Sequence, residues 1–224
     1  MKVAVMQPYF FPYLGYFQLI EAVDYFVIFD DVNYIKRGWV NSNRILKNGK
    51  IVDITLPLQK ASQNKKINAH FRSTDIKVLA TLKKKIQFSY SMAPHFNEVF
   101  PLLCQLIDNP ETNLAKYLTE SLRELSTYLG LKTQFVYSSE LSAHDDWDHA
   151  EQRIIAISKQ LGGTEYYNLP GGRQLYNEKL FLEHNLSLEF ITPELKAYKQ
   201  NHTDKFIPGL SVIDFIMLGE LSKK

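Results

Sequence analysis

The chain has 224 residues, 45% of them apolar and 22% charged, with 26 Lys and Arg set against 24 Asp and Glu. This is the balance of an ordinary globular protein with enough chain for one large domain or two small ones, and a net charge of +2 makes no case for nucleic acid or a membrane surface. The single cysteine, Cys104, excludes an internal disulfide framework, and no run approaches the ~20 apolar residues of a membrane span.

Lys2 to Met6 is short, apolar and β-branched, which predicts a buried strand; it leaves no room for a signal peptide, so the expectation is a soluble, cytoplasmic protein. A Pro-rich aromatic turn follows, then Leu14, Phe17, Leu19, Ile20 and Val23 at mostly helical spacing. Tyr25 to Phe29 predicts a second strand that stops at Asp30 and Asp31, completing a right-handed βαβ unit. Asn48-Gly49 between apolar runs predicts a β-hairpin. Gln59 to His70, with Lys60, Lys65 and Lys66, reads as an exposed loop. Ile76 to Tyr90 predicts a helix with Lys83, Lys84 and Lys85 on its solvated side, and Cys104 falls on a buried helix face as an inert thiol. Pro110 suits a first helical turn; Leu114, Leu118, Leu122, Leu125 and Leu129 form a stripe that Gly130 closes. Strands are expected over Lys132 to Tyr137, Thr164 to Asn168 and Leu186 to Ile191, with helices over Ala150 to Leu161 and onward to about His184. Leu169 to Arg173 is a turn, and Ser211 caps a terminal helix to Leu218 with Asp214 at its third position. The expected whole is one α/β domain over residues 1–224: a mostly parallel Rossmann-like sheet carrying a β-hairpin and a helical insertion at about 75–130.

Ligands of open α/β sheets bind beyond the carboxyl ends of the strands. Gln7 to Gly15 lies there, stiffened by Pro8 and Pro12, so that Tyr9, Phe10, Phe11 and Tyr13 either floor a pocket or plug the sheet end. Asp30 to Arg44 leaves the second strand at the same edge. It supplies two carboxylates, Tyr34, Lys36, Arg37, Trp39, Asn41, Asn43 and Arg44: cations for a phosphate or carboxylate, amides for hydroxyls, an indole for stacking. Asn168 with Gly171 and Gly172 could bring backbone N–H groups to an anion, or form a plain turn. His144-Asp-Asp-Trp-Asp-His149 has metal-like composition but precedes a helix, where its acids suit the positive end; no metal is assigned. There is no P-loop, no Gly-x-Gly-x-x-Gly and no Gly-x-Ser-x-Gly.

Gln7 to Phe17, Phe29 to Trp39, Gly162 to Asn168 with Gly171 and Gly172, and Gly209 to Asp214 together resemble the WbqC-like protein family from Met1 almost to the end of the chain. That resemblance implies a bacterial protein of surface-polysaccharide (O-antigen) biosynthesis. It further implies a transferase that decorates a nucleotide-linked amino sugar with an aminoacyl or acyl group. Asp30 or Asp31 would then be the base; Gln7, Tyr9, Tyr34, Lys36, Trp39, Asn41, Asn43, Arg44, Asn168, Gly171 and Gly172 would bind substrate, with Lys36 and Arg44 on the diphosphate. Ser211 and Asp214 also match the family's motifs. The first loop is similar to the HIGH-type loop of nucleotidyltransferases, which implies a nucleotidyltransferase-like architecture; Tyr16 stands where that loop has histidine, so its phosphate chemistry is absent or falls to Lys36 and Arg44. The expected partner is a small molecule, a nucleotide-sugar or a relative, rather than nucleic acid, without membrane insertion and with no cofactor identified. The rival reading is a non-catalytic nucleotide- or sugar-binding partner of a glycosyltransferase. A nucleic-acid surface built on Lys60, Lys65, Lys66 and Lys83 to Lys85 is a third.

Overall fold

The structure is a computed structural model that describes residues 1–142 and 150–220. In chain order it places β1 (Lys2–Met6), α1 (Leu14–Glu21), β2 (Tyr25–Ile28), β3 (Ser42–Lys47), β4 (Lys50–Thr55), β5 (Leu58–Gln59), β6 (Phe71–Arg72) and α2 (Ile76–Tyr90). There follow α3 (Phe96–Asp108), α4 (Leu114–Tyr128), β7 (Gln134–Tyr137), α5 (Ala150–Gln160), β8 (Glu165–Asn168), α6 (Glu178–Glu183), β9 (Ser187–Phe190) and α7 (Val212–Leu218). The chain divides into two compact units: unit 1 takes Met1–Pro8, Gly15–Val32 and Arg123–Glu194, and unit 2 takes Tyr9–Leu14, Asn33–Leu122 and Leu195–Lys224.

Unit 1 is the Rossmann-like part, with five parallel strands in the order β7-β2-β1-β8-β9. The chain winds outward from β1 through β2 to β7, then returns to lay β8 and β9 on the other side of β1. The strand order therefore reverses between β1 and β8, the switch point where such sheets open a crevice. Met6 pairs with Ile28 and Ile28 with Tyr137, so three strands end level with one another. The core joins Val3, Val5 and Val27 of the sheet to Ile154, Ile155 and Ile157 of α5, all at most 3% exposed. An isolated helix of 11 residues is marginal in water, so α5 owes its stability to this face, at about 1.5–3 kcal/mol per buried isoleucine.

Unit 2 holds the β3–β4 hairpin, where Asn48 (φ 49°) and Gly49 (φ 72°) make the expected two-residue turn. A Cβ on Gly49 would lie 2.3 Å from the His202 carbonyl oxygen, which a side chain cannot occupy. Helix α2 has the predicted bounds; Asp75 caps it by accepting from the Lys77 and Val78 amides. The aromatic turn is split in character. Phe10 and Phe11 are buried, whereas Tyr9 and Tyr13 are half-buried. Phe11 sits in the left-handed region (φ 43°), uncommon for a bulky residue. Its carbonyl accepts from Asn43 Nδ2 (2.9 Å) and Ser211 Oγ (2.7 Å), and the Phe10 amide donates to the Trp39 carbonyl (3.1 Å).

Two expectations change. Pro110 does not start a helix: Asn109 Oδ1 accepts from the Glu111 amide and Glu111 Oε1 from the Asn113 amide, which holds 109–113 out of the helix and makes Asn113 the cap of α4. Nor is Gln59 to His70 simply exposed, because Ile67 and His70 are buried. The Ser62 amide donates to His70 Nε2 (3.1 Å), so the imidazole carries its proton on Nδ1, which donates to the Lys66 carbonyl (2.8 Å).

Candidate functional site

At the end of β2 the Asp30 amide turns back onto the Ile28 carbonyl (2.9 Å), while the Ile28–Tyr137 register sets Ser138 and Ser139 alongside. Asp30 Oδ1 accepts from the Ser139 amide (3.0 Å), and Oδ2 accepts from the Ser139 hydroxyl (2.7 Å). Ser138 Oγ lies 3.0 Å from Asp30 Oδ1 and 2.5 Å from Asp31 Oδ1. One hydroxyl carries one proton, so Ser138 serves only one of the two carboxylates at a time. Asp31 Oδ2 accepts from Arg153 Nη2, whose guanidinium lies 4.8 Å over the Phe29 ring. Both carboxylates are buried, at 3% and 6% exposure. Asp31 is paired with a cation, and Asp30 accepts from the Ser139 amide and hydroxyl.

Across the switch point, Gln7 directly follows β1, and its carbonyl accepts from Tyr16 Oη (2.7 Å); its side-chain amide bonds no described residue. Asn168 ends β8 with its amide spent: Nδ2 donates to the Tyr166 and Tyr176 hydroxyls (3.1 Å each) and Oδ1 accepts from the Leu169 amide (2.7 Å). Burial pushes both phenols above their ordinary range. The expected turn is a 3₁₀ helix, Pro170–Leu175, in which the Gly172 amide donates to the Leu169 carbonyl (2.9 Å). A Cβ on Gly172 would meet the Asn168 amide at 3.1 Å, so glycine there serves packing; Gly171 faces open space.

The remaining residues expected to bind substrate belong to unit 2. Tyr34 Oη donates to Asn41 Oδ1 (2.7 Å), Asn41 Nδ2 donates to the Leu56 carbonyl (2.9 Å), and Asn43 is buried on the turn carbonyls. These three build the loop. Burial and the neighbouring Tyr13 push the Tyr9 phenol up. Lys36 is exposed, and Arg44 lies 5.0 Å over the half-exposed Trp39 ring. A groove of about 550 Å³ also opens in unit 2, but its Arg72 is committed to carbonyls and its Lys83 to Asp108. Lys85 donates to the Asp53 carbonyl (2.9 Å).

Sequence reasoning missed Ser138, Ser139 and Arg153. The serines carried a readable signal, following a predicted strand just as Asp30 does; Arg153 carried none, being one cation on an amphipathic helix. It also missed the role of Asp214, which is fully buried and accepts from Tyr90 Oη (2.8 Å), Tyr198 Oη (2.7 Å) and Gln200 Nε2 (2.8 Å). His144 to His149 lie outside the described residues, among which no group of His, Cys, Asp and Glu is arranged to hold a metal ion. Among those residues no helix is long and apolar enough to cross a membrane.

Residues 7–223 match the WbqC-like protein family. The chain is 32% identical over 221 residues to "Uncharacterized protein Rv1507c" of Mycobacterium tuberculosis (strain ATCC 25618 / H37Rv), covering 96% of this chain and 92% of that one. No solved structure matches the chain.

Proposed function

The chain belongs to the WbqC-like protein family, and on that premise we propose that it is a transferase of bacterial surface-polysaccharide (O-antigen) biosynthesis that adds an aminoacyl or acyl group to a nucleotide-linked amino sugar. The observation that carries this reading is the gathering of Asp30, Asp31, Ser138, Ser139 and Arg153 at the carboxyl edge of a five-stranded parallel sheet. Asp30 is the base. Its Oδ2 accepts from the Ser139 hydroxyl, a neutral donor whose place the N–H or O–H of an acceptor can take. Asp31 would have to release Arg153, stranding a mostly buried guanidinium, so it anchors rather than reacts. Gln7, at the switch point, offers its amide to the sugar.

The test is turnover with nucleotide-linked amino sugars and activated acyl donors, with and without magnesium. Asp30→Asn should retain ligand binding and lose ~10²–10⁴-fold in turnover; Asp30→Asn with Asp31→Asn should leave none. Turnover surviving in the double variant overturns the base assignment. The second reading, a binding partner of a glycosyltransferase, is favoured by one observation: both carboxylates have hydrogen-bond partners within the fold. It predicts ligand binding with no product from any donor.

A further inference from the structure

Two arginines of unit 2 stack on aromatic rings, and they use their donors in opposite ways. Arg72, fully buried, lies 4.1 Å over Tyr117 and spends Nε on the Ser73 carbonyl (3.3 Å), Nη1 on Asn109 (3.2 Å) and Nη2 on Ile107 (2.9 Å). That is a structural arginine, satisfying carbonyls at the end of α3. Arg44 lies 5.0 Å over Trp39, yet no described residue accepts from its guanidinium, and its Nε is buried without a partner. Its backbone is nonetheless fixed on both sides, the amide donating to Asn43 Oδ1 (2.8 Å) and the carbonyl accepting from the Ser211 amide (2.8 Å). Asp53, its cross-strand neighbour, forms no ion pair with it. A guanidinium carries five N–H donors in a rigid fork, and a buried donor without a partner calls for an explanation.

Trp39 is 43% exposed and Ile35 57% exposed, with Lys36 and Arg37 exposed between them. The exposed surface of this loop is thus an indole, an aliphatic side chain and two cations, beside an arginine whose fork is unspent. We infer that Trp39 and Arg44, flanked by Lys36 and Arg37, form a phosphate-binding site of unit 2. Arg44 takes two phosphate oxygens side by side, as its planar fork fits them, and Trp39 covers the apolar or planar body that the phosphate carries. A nucleotide and a phospholipid headgroup both offer that chemistry. The site rests on unit 2 alone and holds whether or not Asp30 is a base.

Inorganic pyrophosphate and uridine diphosphate are titrated calorimetrically into the wild type, Arg44→Gln, Arg44→Lys and Trp39→Ala. Each protein is also sedimented with phosphatidylcholine vesicles, with and without phosphatidylglycerol. The wild type should bind in at least one arm, Arg44→Gln should weaken that binding by about tenfold or more, and Arg44→Lys should recover it only in part. Trp39→Ala should weaken the diphosphate nucleotide and spare pyrophosphate. If Arg44→Gln loses its thermal transition, Arg44→Lys, with charge and stem retained, carries the comparison. Binding to anionic vesicles alone keeps the site and removes the nucleotide from it. No binding in any arm, or binding that ignores Arg44, overturns it. Turnover lost in Asp30→Asn with phosphate binding intact keeps this site separate from the transferase reading.

Discussion

Asp214 carries a carboxylate into a place with no solvent exposure, and two phenols and an amide are committed to keeping it there. Removing it strands three donors, two of them buried, so Asp214→Ala should cost about 3–5 kcal/mol in denaturant unfolding; a cost below ~1 kcal/mol would show that the cluster reorganises. Burial, then the charge of Asp214, pushes the Tyr90 and Tyr198 phenols up; burial likewise raises Tyr117 to about 12 against the opposing Arg72. The unfolded chain titrates its tyrosines near 10. Above that pH it sheds protons that the folded state keeps, so this contribution is complete below pH ~10 and is lost as pH rises towards the folded values. Alkaline melts should therefore fall past pH ~10, with part of the tyrosinate absorbance appearing only on unfolding. All 13 tyrosines titrating near 10 in a protein still folded would contradict it.

The aromatic turn and helix α7 depend on one hydroxyl. Ser211 Oγ donates to the Phe11 carbonyl and accepts from the Ile213 amide (3.3 Å), so it both holds a left-handed phenylalanine and caps α7. Ser211→Ala should cost about 1–2 kcal/mol by urea unfolding, while Ser211→Thr, keeping the oxygen, should cost less. A neutral Ser211→Ala would mean that Asn43 holds the turn unaided. Elements of this kind were partly legible. Asn48-Gly49, the span of α2 and the βαβ opening rest on local periodicity and turn chemistry, and the structure has them where the residues place them. Local signals fell short where particular side chains decide. Those of 109 and 111 override Pro110, and His70 is met from outside 59–70 by the Tyr34 ring, 4.8 Å from the imidazole, and by the Leu114 amide on its carbonyl. Asn41, Asn43 and Asn168 read as ligand-facing amides, and composition does not display the bonds each makes within the fold, to carbonyls for the first two and to tyrosine hydroxyls for the third.

Across the whole molecule the chain passes between its two units at 8/9, 14/15, 32/33, 122/123 and 194/195, so neither unit is a continuous segment, and α4 runs through one crossing without a break. Such connectivity predicts that the protein unfolds as a single domain, with calorimetric and van't Hoff enthalpies equal; two resolved transitions would show that the units are independent. The Rossmann-like order follows from the same winding, and it brings Gln7, Asp30, Ser138 and Asn168 to one sheet edge from four strands. The claim that this edge receives a nucleotide-linked sugar is tested most directly by thermal shift of the purified chain against nucleotides, nucleotide-sugars and acyl carriers, with and without magnesium. A true ligand at 100 times its dissociation constant should add about 2.7 kcal/mol, and Asp30→Asn should shift as the wild type does. No shift with any nucleotide-sugar would contradict the account.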